Sequence, residues 1–108
     1  MIIGVAGPYS APTEVQRRAN LDALNAAAAQ LLEMGHVPII GVNAALPVLE
    51  QARVTDGYEA VMRISLAVIA ACDALLLIGG SPGANRERDL ILSQGKPVFT
   101  RIEDVPVA

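Results

Sequence analysis

Four short, nearly saturated apolar runs constrain this chain more than any other feature: "IIGVA" (2–6), "VPII" (37–40), "ALLLI" (74–78) and "PVFT" (97–100). Each is too short for a helix and too continuously apolar for a strand with one wet face. They therefore read as strands covered on both sides. Between them lie segments that start and stop like helices. Thr13 with Gln16 has capping-box spacing, and Gly35 supplies a left-handed stop after Met34. Val15, Ala19, Leu21, Leu24, Ala28, Leu31 and Leu32 give this first helix an apolar face. Asp56 with Glu59 opens a second helix through Ala71, whose Val61, Met62, Leu66, Val68, Ile69 and Cys72 leave little polar surface. A third runs over 84–94 and stops at Gly95. Residues 41–55, rich in Gly, Asn and Pro, form the longest irregular stretch, with one short turn of helix around Pro47–Ala52. The last eight residues, "RIEDVPVA", are either a tail or a short edge element.

This alternation predicts a three-layer α/β/α doubly wound parallel sheet, flavodoxin-like, of four to five strands in the order 2-1-3-4. At 108 residues it is a single domain over 1–108, burying very roughly 65% of its unfolded surface. An apolar content of 53% with few aromatics makes the core one of Ala, Val, Ile and Leu, and predicts that a second copy covers some of that surface in a homodimer or larger homo-oligomer. A net charge of −3 without a basic cluster argues against nucleic acid as the ligand. The tract 66–80 is interrupted by Asp73 and closes on two glycines, so it does not span a bilayer. The lone Cys72 and the absence of a basic leader fit a reducing, cytoplasmic setting.

In such a sheet, ligands sit beyond the carboxyl ends of the strands at the switch point between strands 1 and 3. Two segments converge there, "GPYS" (7–10) and "GGSPGANRE" (79–87). Ser81 suits a helix cap and Pro82 the first helical position, while Gly79, Gly80 and Gly83 let backbone N–H groups approach an anion. A capped helix start that binds nothing has the same pattern. The segment is neither a P-loop nor a G-x-G-x-x-G fingerprint. Glu87 falls in the second helical turn, on one face with Ala84, Leu90 and Ile91. It is either half of a salt bridge to Arg17, Arg18 or Arg86, or a carboxylate aimed at a ligand. Tyr9 is either a surface turn residue or a hydroxyl donor to Glu87. His36, with no second His or Cys at ligand spacing, reads as structural, and no metal or cofactor is expected.

The segments "IIGVAGPYSAPTEVQRRANLDALNAAAAQLLEMGHVP" and "CDALLLIGGSPGANRERDLILSQGKPV" resemble the nucleoside 2-deoxyribosyltransferase-like superfamily, including its short uncharacterised bacterial members. Ser81, Gly83, Ala84 and Glu87 fill its S-x-G-[AT]-x-x-E signature in order, and Gly95-Lys96-Pro97-Val98 follow at its distance. The resemblance implies N-glycosidic chemistry on a nucleoside or nucleoside 5′-monophosphate, with Glu87 as nucleophile at C1′ and Tyr9 orienting it. Gly7, Pro8, Ser10, Gly80, Ser81, Gly83 and Ala84 would bind the substrate, with Ser81 and Gly83 at its 5′ end. The family's catalytic aspartate, eight residues before the aspartate that precedes strand 3, is here Ser65. Asp89, commonly Gly in the family, and Asp56 or Glu59 are the substitutes at hand for the missing acid. A phosphoribohydrolase, whose P-G-G-x-G-T-x-x-E loop resembles Gly79–Glu87, and a nucleotide-binding module without turnover are the alternatives.

Overall fold

A computed structural model describes residues 1–108. Its four strands are β1 (Ile2–Ala6), β2 (Val37–Ile39), β3 (Ala74–Leu77) and β4 (Val98–Phe99), and its four helices are α1 (Glu14–Glu33), α2 (Gly41–Gln51), α3 (Gly57–Ala70) and α4 (Pro82–Ser93). The sheet is parallel throughout in the order β2-β1-β3-β4, as the alternation predicts. β1 runs between β2 and β3, pairing Ile3 with Pro38 on one side and Gly4 with Leu75 on the other.

Successive side chains on a strand point to opposite faces, and the core divides accordingly. Ile3, Val5, Ala74 and Leu76 pack with Leu24 and Leu31 of α1. Ala6 and Leu75 pack on the other face with Ile69 of α3 and Ala84 and Ile91 of α4. In α1 the buried stripe is narrower than the sequence suggests. Leu24 and Leu31 are buried and Leu21 and Ala28 pack beside them, but Val15 and Leu32 are exposed. At about 100° per residue, Val15 lies nine positions and therefore half a turn out from Leu24. In α3 the buried positions are Met62, Ser65 and Ile69, with Val61, Leu66 and Val68 half-covered.

The helix starts follow from their capping residues. The Thr13 hydroxyl accepts from the Gln16 N–H, the Asp56 carboxylate from Glu59 and the Ser81 hydroxyl from Ala84, at 3.2, 3.0 and 3.1 Å. Gly35 and Gly95, at φ +92° and +72°, turn the chain after α1 and α4.

Two expectations need correction. Residues 41–51 are a helix and not an irregular stretch. Val42, Ala45, Leu46 and Leu49 stand at i, i+3, i+4 and i+7, and they lay α2 mainly against α3. Pro47 sits inside α2 on its exposed side, where it leaves one carbonyl of the helix without its N–H donor. The C-terminal residues are neither a loose tail nor an edge strand. They form a 3-10 turn (Ile102–Asp104), bury Val105 in the α1-side core, and return an N–H from Ala108 to the Met34 carbonyl at 3.2 Å. His36 is buried beneath them, its Nε2–H donating to the Pro106 carbonyl. No helix is long and apolar enough to cross a membrane.

Candidate active site

The carboxyl ends of β1 and β3 open into a cavity of about 540 Å³. The segment after β1 contributes Gly7, Tyr9 and Ser10, and the start of α4 contributes Ser81, Pro82, Gly83, Ala84 and Glu87. The opposite wall comes from α2 (Val42, Leu49) and α3 (Gly57, Tyr58, Val61, Met62, Ser65). Most of this lining is apolar and the polar groups are few, as in small-molecule sites generally.

Glu87 is the one carboxylate in the cavity wall and is 8% exposed. It is carried there by α4, whose buried face is Ala84, Glu87 and Ile91. None of the three arginines that could have neutralised it does so. Arg17 pairs with Glu14, Arg18 with Asp22, and Arg86 with Glu59 at 2.8 Å. Its partner is Ser65, fully buried on α3, whose hydroxyl donates to Oε1 at 2.5 Å. Oε2 makes no hydrogen bond within the protein, yet no side-chain oxygen is sealed away unpaired, so Oε2 is the oxygen open to the cavity. Burial pushes the Glu87 carboxyl above its ordinary range, and the Ser65 hydrogen bond pulls it part of the way back.

Gly41, the first residue of α2, makes the Ser65 contact compact. A Cβ there would stand 2.1 Å from Ser65 Oγ and 3.0 Å from its Cα, so only glycine lets α2 approach α3 this closely. At Gly83, which also lines the cavity, a Cβ would meet Met62 Sδ at 3.1 Å, a tight contact with a flexible side chain.

Of the residues singled out from sequence, Glu87, Tyr9, Gly7, Ser10, Ser81, Gly83 and Ala84 come together around this cavity. Pro8 and Gly80 lie in the same two turns but outside its lining, Pro8 packing 3.1 Å from where a Gly79 Cβ would stand. Tyr9 forms no hydrogen bond to Glu87; its backbone carbonyl accepts from Asn20 at 3.0 Å, and Ser65 holds the carboxylate instead. The candidate acids are elsewhere. Asp89 is exposed and pairs with Arg88 at 3.0 Å. Asp56 caps α3, and with Glu59, Arg53, Arg63 and Arg86 it lines a separate, more open groove of about 570 Å³. Asp56→Ala is accordingly expected to cost about 1 kcal/mol of stability through the lost cap, read by urea titration, with no loss of any activity the cavity supports.

Sequence reasoning missed Tyr58, Met62 and Val42. The first is the chain's second tyrosine, and the Arg86 guanidinium lies 5.7 Å from its ring centre.

Residues 1–100 match a family described as a domain of unknown function, DUF4406. This chain belongs to the DUF4406 family. No curated protein matches it. The match takes in all four strands, all four helices and every residue of the cavity wall.

Proposed function

We propose that this protein cleaves or transfers the N-glycosidic bond of a nucleoside or nucleoside 5′-monophosphate, with Glu87 as the nucleophile at C1′. One observation carries the reading: a buried carboxylate without a cation, one oxygen held by Ser65 and the other open to a cavity of nucleoside size. A carboxylate so placed is oriented, poorly solvated and available to attack, and a covalent glycosyl-enzyme would divide the reaction into two easier displacements. Two further features support it. The Ser81–Gly83 turn offers backbone N–H groups and the positive end of α4 to a 5′-hydroxyl or phosphate. The signature S-x-G-A-x-x-E that resembles the nucleoside 2-deoxyribosyltransferase-like superfamily lies along this wall. The protein acts in the cytoplasm as a homo-oligomer in this reading, which gives cover to exposed Val15, Leu32, Val48 and Leu92.

The alternative is a nucleotide-binding module without turnover, and the absence of a second carboxylate in the cavity favours it. A panel of nucleosides and 5′-monophosphates, with and without an acceptor base, separates these readings by chromatography. Free base without acceptor indicates a hydrolase and base exchange a transferase. Calorimetric binding with no product would sink the enzyme.

A further inference from the structure

Breaking a C1′–N bond to a neutral base leaves electrons on the ring nitrogen, and an acid normally protonates the base as it departs. That help is commonly worth about 10²–10⁴ in rate. The cavity holds no second carboxylic acid and no imidazolium, thiol or ammonium to give it. No histidine, cysteine, lysine or arginine lines the wall, and Glu87 is its single carboxylate. The remaining protons are on the hydroxyls of Ser10, Ser65, Ser81, Tyr9 and Tyr58, and that of Ser65 is directed to Glu87. Glu87 cannot attack C1′ as an anion and deliver a proton in the same step.

One class of N-glycoside needs no acid. Where the glycosidic nitrogen is already a quaternary cation, as in a pyridinium nucleoside, the electron pair of the breaking bond neutralises it and the base leaves uncharged. The site complements such a cation independently of the chemistry. It presents one buried negative charge with no positive partner, in surroundings where Coulomb attraction is weakly screened. Its wall also holds both of the chain's tyrosines, a residue type whose ring attracts flat cations; the Tyr58 ring already has the Arg86 guanidinium 5.7 Å from its centre, which leaves Tyr9 as the ring without a cation. Building on the N-glycosidic reading above, we infer that the cavity takes nucleosides or nucleotides whose base is a pyridinium-type cation, and that Glu87 displaces that base.

The steps balance without a co-reactant other than water. Glu87 Oε2 forms a bond to C1′ as the C1′–N⁺ bond breaks, and the departing pair converts the pyridinium to a neutral pyridine. Water then bonds to C1′, the C1′–Oε2 bond breaks with its pair returning to the carboxylate, and the surplus proton passes to solvent. Each turnover consumes one water and releases one proton.

The experiment measures kcat/KM of the full chain on nicotinamide riboside and its 5′-phosphate, beside neutral ribosides and 2′-deoxyribosides of purines and pyrimidines. Free base is read by chromatography and protons by pH-stat. The expected result is a preference for the pyridinium substrates of about 10²-fold or more, one proton per nicotinamide, a pH profile that rises along one limb to a plateau as Glu87 deprotonates, and no release by Glu87→Gln. Neutral nucleosides cleaved as well as the pyridinium ones, or a rate that falls with rising pH because Glu87 serves as an acid, would overturn this inference and leave the N-glycosidic reading standing. No base from either class would overturn both.

Discussion

Glu87→Gln is expected to lose base release on the order of 10⁴-fold and, at neutral and alkaline pH, to melt at a higher temperature than the wild-type protein. The loss follows from the amide's inability to displace a base from C1′. The gain follows from the burial of the carboxylate. The folded-state pKa of Glu87 is raised, chiefly by desolvation, so between the unfolded carboxyl's range and that raised value the folded chain binds more protons than the unfolded one. Stability therefore falls as pH climbs through this window, and the full penalty persists above it. Glutamine fills the same volume, still accepts the Ser65 hydroxyl at Oε1, and carries no charge to desolvate. The melting temperatures of the two proteins should converge in acid, near the ordinary carboxyl value of about 4.3, and diverge as pH rises. A variant with wild-type turnover would remove Glu87 from the chemistry. A difference in melting temperature that ignores pH would show that the buried charge is not what costs stability.

Part of the fold and part of the cavity were legible in the sequence. The sheet order was, because four saturated runs separated by capped helices admit few right-handed arrangements. Half of the cavity was legible too. In a parallel sheet the turns after β1 and β3 must meet, and they bring Gly7, Tyr9, Ser81 and Glu87 with them. The other wall was not. Gly41, Asn43 and Pro47 have the composition of a loop, and they masked the i, i+3, i+4, i+7 spacing of Val42, Ala45, Leu46 and Leu49 that forms α2. α3 posed a different difficulty. A helix apolar nearly all round does not reveal its rotation, so nothing in its pattern indicated that Tyr58, Met62 and Ser65 would line the cavity while Glu59 and Arg63 turned to the neighbouring groove. The serine in the position of a missing acid proves to be the group that holds the nucleophile candidate.

Gly41→Ala should cause the largest loss of stability of any single methyl group added near the site. The new Cβ would lie 2.1 Å from Ser65 Oγ and 3.0 Å from Ser65 Cα, and the second contact is with backbone that no side-chain rotation can move. Either α2 lifts from α3 or Ser65 swings away from Glu87. Overpacking of this kind costs about 1–3 kcal/mol. In a domain of this size that lowers the melting temperature by about 5–20 °C. The same displacement breaks the hydrogen bond that draws the Glu87 carboxyl down, so the acidic limb of any Glu87-dependent activity should move to higher pH. Ser65→Ala separates the two effects, because it cuts the hydrogen bond without crowding the helices. It should shift the limb in the same direction with a smaller thermal loss. In Gly41→Ala/Ser65→Ala the 2.1 Å clash is gone but the 3.0 Å backbone contact remains, so stability should recover in part and the pH limb not at all. That non-additivity is the signature of two residues sharing one contact. Strictly additive melting shifts across the cycle would mean that Gly41 and Ser65 act independently, and that the close approach of α2 is not what keeps the serine on the carboxylate.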